Sequence, residues 1–297
     1  MEYAESIRDG KKIACVELKQ AVDRFFRDLE NPDYWMDYKD PEFCIQIIEK
    51  TLCHQQGESL DGTPMRGKPF ILQPFHKFCI YNLVGFKLKD TQIVKYHEAL
   101  IYIPRKNSKS TFSAALAWAL SLLRRKSGAK CYVASAALMQ SLESFNFLKY
   151  NIDRMGENQK DGGMVKIIDN NNEHSMEAQM DDGSFFIRAL AANPDAQDSL
   201  NASCAICDEI HAFKQPKQYN LFKEAMKAYT NKLLIGISTA GDNEQAFLGQ
   251  RLKYCRKVLD GTVKDEQYFI FMCCAPEGIK DGSVDFTDPK IHEMANP

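Results

Sequence analysis

Directly after the apolar run Ala99–Ile103 the chain reads Pro104-Arg105-Lys106-Asn107-Ser108-Lys109-Ser110, and apolar residues then recur at helical spacing from Ser110 to Arg124. A strand, a basic loop and a helix start form the context that a phosphate-binding loop requires. Backbone N–H groups and the positive end of the helix together cradle phosphate oxygens. In such a loop Lys109 neutralises the β- and γ-oxygens of a nucleoside triphosphate, and the Ser110 hydroxyl holds Mg2+. The general pattern G-x-x-x-x-G-K-[ST] places glycines where this chain has Ile103 and Ser108. Taken alone, the segment serves equally well as a basic turn ahead of a helix.

A second group lies downstream. Ser203 to Glu209 reads Ser-Cys-Ala-Ile-Cys-Asp-Glu, an apolar strand that delivers two adjacent carboxylates at its C-terminal end, where open α/β sheets bind their ligands. There Asp208 takes the metal through water and Glu209 polarises the water that attacks the terminal phosphate. Alone, the pair is also what a solvated turn looks like. A third apolar run, Leu233–Ile237, ends in Ser238-Thr239-Ala240-Gly241, whose hydroxyls suit a sensor of the γ-phosphate as well as a plain strand-to-loop turn. The order of these parts points to a P-loop NTPase: strand, basic loop, helix, then a strand ending Asp-Glu.

The elements that must position these groups follow from periodicity. Apolar residues at helical spacing run from Cys15 to Leu29 and from Phe43 to Leu52, and Pro74 opens an aromatic-rich helix that ends near Gly85. Residues 1–92 thus read as an N-terminal helical subdomain. From Tyr96 onward short apolar runs alternate with helical stretches: Ala99–Ile103, Lys130–Ala134, Phe185–Ala189, Cys204–Cys207, Leu233–Ile237, then a helix Ala246–Leu259 and a strand Tyr268–Cys274. Strands alternating with helices predict an α/β core over residues 93–275, a mostly parallel sheet flanked by helices on both faces. Residues 276–297 read as a loop-like linker.

Composition narrows the class. The 297 residues are 44% hydrophobic with a formal net charge of -2, which excludes a disordered chain and a general polycation. Met1 to Lys12 contain no apolar stretch, no run is long enough to span a bilayer, and ten scattered cysteines suggest reduced, intracellular thiols. Cys204 and Cys207 form a CxxC, but residues three apart on a strand point to opposite faces, so no zinc site is expected there. DNA contact, if present, must use local patches. Lys214, Lys217, Lys223, Lys227 and Lys232 form one group, in which Lys223 and Lys227 share a helix face, and Arg251, Lys253, Arg256 and Lys257 form another. Solvated helix faces also look like this.

These motifs resemble a known family. Pro-Arg-Lys-Asn-Ser-Lys-Ser is similar to the deviant Walker A of tailed-phage terminase large subunits, Pro-Arg-Lys-Asn-Gly/Ser-Lys-Ser/Thr. Cys207-Asp208-Glu209-Ile210-His211-Ala212 resembles that family's Walker B, and Ile237-Ser238-Thr239-Ala240-Gly241 its coupling motif. Phe70-Ile71-Leu72-Gln73-Pro74-Phe75-His76 is similar to its adenine-recognition segment, and Tyr132 to Gln140 to the Ala-rich strand that follows the Walker A helix. The resemblance implies an ASCE/RecA-like ATPase that hydrolyses ATP with Mg2+ to drive double-stranded DNA into a procapsid. It would act in the host cytoplasm as a homo-oligomeric ring on the portal protein, with a small terminase subunit as partner and no membrane.

Carried onto this chain, the nucleotide falls to Arg105, Lys106, Asn107, Ser108, Lys109, Ser110 and Thr111, and the metal to Ser110 and Asp208. Catalysis falls to Glu209 and Arg105, and coupling to Ser238, Thr239 and Gly241. The adenine segment departs from the family's Trp-Gln, since Phe75-His76 stands there, which leaves His76 and Gln73 as candidate base contacts. The stretch Asp195 to Asn201, where some terminases carry an arginine for a neighbouring subunit, has none. Arg188 is then the nearest trans candidate, and Arg105 the better group to stabilise charge in cis. The family's RNase H-like nuclease half has no counterpart in this sequence. Asp208-Glu209-Ile210-His211 also resembles a DEAH box, and a superfamily-2 DNA helicase or translocase fragment is the alternative.

Overall fold

The computed structural model describes residues 1–193, 200–241, 243–276, 278 and 282–297. Its helices are α1 Glu2–Arg8, α2 Val16–Glu30, α3 Lys39–Thr51, α4 Pro74–Ile80, α5 Lys109–Leu123, α6 Leu138–Met155, α7 Pro216–Ala225, α8 Phe247–Leu259 and α9 Pro289–Ala295. Its strands are β1 Tyr34–Met36, β2 Phe86–Leu88, β3 Glu98–Tyr102, β4 Ala129–Ser135, β5 Lys166–Asp169, β6 His174–Met180, β7 Gly183–Ala191, β8 Cys204–Asp208, β9 Leu233–Ser238 and β10 Tyr268–Met272.

Eight of these strands form one sheet in the order β10-β3-β9-β8-β4-β7-β6-β5. The pairs from β10 to β7 are parallel, and β6 and β5 extend the sheet antiparallel. The central strands are apolar at consecutive positions because both faces are covered. Ala99 and Ile101 point into one apolar cluster and Leu100 into the other; Ile206 and Ala205 divide in the same way. Cys204 and Cys207 also fall in opposite clusters, as the strand period requires.

On the first face α5 is buried along nearly its whole length and packs against α3 and α6. The apolar faces of α1 to α4 join the same cluster. The helices before β3 therefore complete one face of the eight-stranded sheet, and residue 92 marks a change in element type inside one continuous core. The second face is closed by α7 and α8 through Tyr219, Phe222, Cys255 and Val258.

Three elements differ from the sequence reading. Residues 276–297 are not all loop: Pro289 starts α9, and the Asp288 side chain accepts a hydrogen bond from the Lys290 N–H as its N-cap. The hairpin β5–β6 carries no clear sequence signal, because its outward residues are polar and its apolar residues too few to mark a period. Finally, α7 ends at Ala225, so Lys223 and Lys227 do not share a helix face; Lys227 pairs with Glu224 past the helix end.

The helical layer is pinned to the sheet by buried charge. Lys95 Nζ lies 2.5 Å from Asp28 Oδ2 and 3.4 Å from Glu266, and Tyr96 donates its hydroxyl to Asp28 at 2.6 Å. Arg24 reaches the backbone carbonyls of Tyr268 and Asp265 at 2.9 and 2.8 Å. Burial pulls the Lys95 ammonium down while the Asp28 charge opposes it. Removing one partner of such a pair leaves the other charge buried and uncompensated. Asp28→Asn should cost ~3–5 kcal/mol in urea unfolding, and adding Lys95→Met should recover part of that loss. A double variant less stable than Asp28→Asn alone would show that the pair itself, not the stranded ammonium, carries the stability.

Candidate nucleotide-binding site

The site lies where β3, β9 and β8 end. After β3 the chain passes through Pro104 to Ser108 and enters α5 at Lys109. Lys106 and Ser108 have φ of 70° and 54°, in the left-handed region. Ser108 occupies the place where the general loop has a glycine, and it takes a backbone conformation that glycine adopts freely and other residues adopt at a cost. The missing glycine therefore leaves the left-handed turn in place. The first helical bond is from the Phe112 N–H to the Ser108 carbonyl at 2.8 Å. The N–H groups of Lys109, Ser110 and Thr111 lie before that ladder, at the positive end of a 15-residue helix.

Lys109 is 6% exposed, and its Nζ lies 3.2 Å from the Pro104 carbonyl and 3.7 Å from Glu209 Oε1. Burial lowers its ammonium, and the Glu209 and Asp208 charges oppose that. Arg105 and Lys106 are exposed. Among the described residues Arg105 makes no ion pair with Asp208 or Glu209. Asn107 donates to the Asn296 side chain at 3.1 Å, which brings the end of α9 onto the loop.

β8 delivers Asp208 buried, and burial lifts its carboxyl to about 6; a hydrogen bond from the Ser110 side chain opposes that rise, and the neighbouring Glu209 charge adds to it. The two residues that the sequence assigns to the metal thus lie near each other. A hydroxyl and a carboxylate are hard oxygen donors suited to Mg2+. Asp208 and Glu209 with Lys109 also leave the cluster one negative charge in excess, which a cation would offset.

Glu209 has φ of 51°, a left-handed residue directly after the strand. This turn aims its carboxylate back over the sheet. Glu209 Oε2 lies 3.0 Å from His211 Nδ1, 3.3 Å from the Thr239 N–H and 3.4 Å from the Thr239 hydroxyl. Ser238 accepts a hydrogen bond from the His211 N–H at 3.1 Å and donates to the Thr239 carbonyl at 2.9 Å. Gly241 passes so close to His211 that a Cβ there would sit 3.2 Å from the His211 Cβ. The structure therefore brings Ser238, Thr239 and Gly241 to the Walker B turn. His211 has no role in the sequence reading. The signal for it is its place two residues after Glu209, where a tight turn returns the side chain to the strand end.

The candidate adenine segment leads into α4. His76 is 2% exposed and packs between Phe75 and Phe112, with ring centroids at 3.9 and 4.4 Å. Its Nδ1 accepts the Gln73 N–H at 3.1 Å while the Gln73 side chain accepts from the third residue of α4, a reciprocal cap. Burial pushes the His76 imidazole down to about 3, so it stays neutral. Its Nε2 is buried with no hydrogen-bond partner among the described residues, and the ring packs α4 against Phe112 of α5. Gln73 is exposed.

Two further expectations meet the structure here. Residues 195–199 of the arginine-free stretch lie outside the described residues. Arg188 sits in mid-β7, paired with Tyr132 of β4 and Ser175 of β6, away from the strand ends that form the site. The basic patches are partly committed to structure. Lys223 and Arg251 pair with Glu98 at 2.7 and 3.1 Å, and Arg256 with Glu17 at 2.7 Å. Lys253, Lys257 and Lys214 remain exposed.

Residues 74–257 match the family Terminase large subunit, ATPase domain. The crystal structure of the HK97 bacteriophage large terminase superposes with a TM-score of 0.63 at 22% identity, over 86% of this chain and 47% of that one. A large terminase from a thermophilic bacteriophage, in complex with ADP, aligns with a TM-score of 0.45 at 9% identity, over 62% of this chain and 42% of that one. Protein YmfN of Escherichia coli (strain K12) is 29% identical over 100 residues, which cover 34% of this chain and 21% of YmfN. The chain thus spans less than half the length of these relatives. In the sheet β9 stands between β3 and β8, and the family match covers the segments that follow all three strands. This chain belongs to the terminase large subunit ATPase domain family.

Proposed function

We infer that the domain binds ATP with Mg2+ and hydrolyses it to drive double-stranded DNA into a procapsid. It would work in the host cytoplasm, in a homo-oligomeric ring at the portal protein and with the small terminase subunit. The observation that carries this reading is the convergence of Lys109 and Ser110, at the start of α5, with Asp208 and Glu209, at the end of β8. Neither the family match nor the fold favours the helicase alternative.

The phosphates lie on the loop from Arg105 to Ser108 and on the N–H groups of Lys109, Ser110 and Thr111. Lys109 faces the β- and γ-oxygens, and Gln73 lies on the adenine side. Ser110 and Asp208 would hold Mg2+, which would supply positive charge to the phosphate end of the site. Glu209 accepts a hydrogen bond from the attacking water. The new bond forms between that water oxygen and the γ-phosphorus as the bond to the bridging oxygen breaks, giving ADP and phosphate. Arg105, exposed beside the loop, stabilises charge on the departing γ-phosphoryl in cis. Thr239 and Ser238 link the γ-phosphate end of the site to β9, and residues 276–297 lead toward a nuclease half.

Glu209→Gln should retain ATP binding and lose at least ~10²-fold in turnover, since an amide does not polarise water as a carboxylate does. Parental turnover in this variant would remove Glu209 from the mechanism. Comparing ATP affinity in Lys109→Ala and Lys106→Ala should show a large loss in the first and a small one in the second, because Lys109 is buried against Glu209 and Lys106 is exposed. Equal losses would mean that the wrong lysine was chosen. His211→Ala should lower kcat by less than Glu209→Gln and leave KM nearly unchanged, as expected for a residue that positions the carboxylate. A raised KM with parental kcat would place His211 in nucleotide binding.

A further inference from the structure

Away from the nucleotide residues, the segment entering α2 meets the segment leaving β10. Cys15 is the residue that precedes α2, and its thiol lies 3.2 Å from the Met272 carbonyl. Glu17 is in the first turn of α2, and Cys274 follows β10. One donor atom from each of Cys15, Glu17 and Cys274 lies within 4.8 Å of the other two. Arg256 of α8 fixes the carboxylate from behind, with its Nε 2.7 Å from Glu17 Oε1.

We propose that Cys15, Cys274 and Glu17 form a binding site for a soft divalent cation, zinc, with water as the fourth ligand. Zinc takes thiolate sulfur at ~2.3 Å and carboxylate oxygen at ~2.0–2.2 Å in a tetrahedron. The corners of that tetrahedron are ~3.4–3.8 Å apart, and the donor atoms here lie within 4.8 Å of one another. The charges also balance. Two thiolates and a carboxylate carry three negative charges, and the cation with the Arg256 guanidinium supplies three positive ones. Zinc binding requires deprotonated thiols and so releases protons.

Cys274 is only partly buried, whereas the other nine cysteines are buried, and the Arg256 beside the cluster also lines a cavity that extends to His211 and Gly241. A disulfide between Cys15 and Cys274 would use the two sulfurs but would need an oxidant and gives no role to the oriented carboxylate. A cation here fastens the start of α2 to the exit of β10. Beyond that exit the chain returns to the phosphate loop through Asn296 and Asn107.

The test is Co2+ titration of the reduced protein, followed by Zn2+ displacement. The expected result is one Co2+ per chain with tetrahedral d–d bands and sulfur charge-transfer absorption, lost in Cys15→Ser and in Cys274→Ser. Cys273→Ser should keep both signals, and Glu17→Gln should weaken Co2+ affinity ~10-fold or more. Since a serine variant can fail to fold, alkylation of the unmodified chain is the second measurement: Zn2+ should slow labelling of Cys274, mapped by mass. Octahedral Co2+ spectra, a sulfur band that survives both serine changes in folded protein, or a Cys15–Cys274 disulfide that diamide forms equally fast with and without Zn2+ would overturn the proposal.

Discussion

In the register of the central strands Tyr102 lies opposite Ser238, and Ile237 lies opposite Asp208. The phosphate loop, the Asp-Glu turn and the Ser-Thr turn therefore leave the sheet at one level, and every distance in the site follows from that alignment. A slip of one residue in β8 would turn Asp208 to the opposite face of the sheet and separate it from Ser110. What prevents the slip is the core on both faces: Ile206 packs with the α5 side and Ala205 and Cys207 with the α7–α8 side. The same apolar residues that fold the sheet thus fix the geometry of the candidate site.

That rigidity supports local strain. Four non-glycine residues among those described have positive φ, and three of them, Lys106, Ser108 and Glu209, are at the site. Each left-handed non-glycine residue costs on the order of 1–3 kcal/mol when its surroundings force it. The loop is held between β3 and the buried helix α5, and the Glu209 turn is held by His211 and Thr239. A relaxed turn after β8 would carry the Glu209 carboxylate away from Lys109, so the strain is what brings acid and ammonium together.

Much of this is legible in the sequence because each motif also reports its own context. An apolar run, a basic loop and a helical period together specify strand, turn and helix, and Asp208-Glu209 after a run of buried residues specifies a strand end. The sheet order is not legible, since nothing local says that β9 inserts between β3 and β8. His76 misleads for a related reason. Its position in an adenine-like segment is a local signal, but its burial against Phe112 is a tertiary one, and the capping bond to Gln73 occupies its Nδ1. The basic patches mislead similarly: Arg251 looks like surface charge on α8, yet it pairs with Glu98 and lies over the rings of Tyr219 and Phe247.

Two charged clusters at opposite ends of β3 show how structural and functional charge differ. Beside its start, Arg24, Lys95, Asp28 and Glu266 carry equal positive and negative charge and find their partners within the chain. Such a network can be closed permanently and serves to lock α2 against the sheet. Beyond its end, Lys109 faces two carboxylates, and one of them, Asp208, is buried enough that its carboxyl is raised toward neutrality. Burying adjacent carboxylates is unfavourable unless a cation joins them. The chain keeps them there behind a helix N-terminus whose first N–H groups also lack helical partners. An excess of negative charge beside unpaired donors is complementary to a metal cation carrying a polyphosphate, because the cation answers the carboxylates and the phosphate oxygens answer the donors. The unbalanced end of the strand is therefore the end where ligand chemistry belongs.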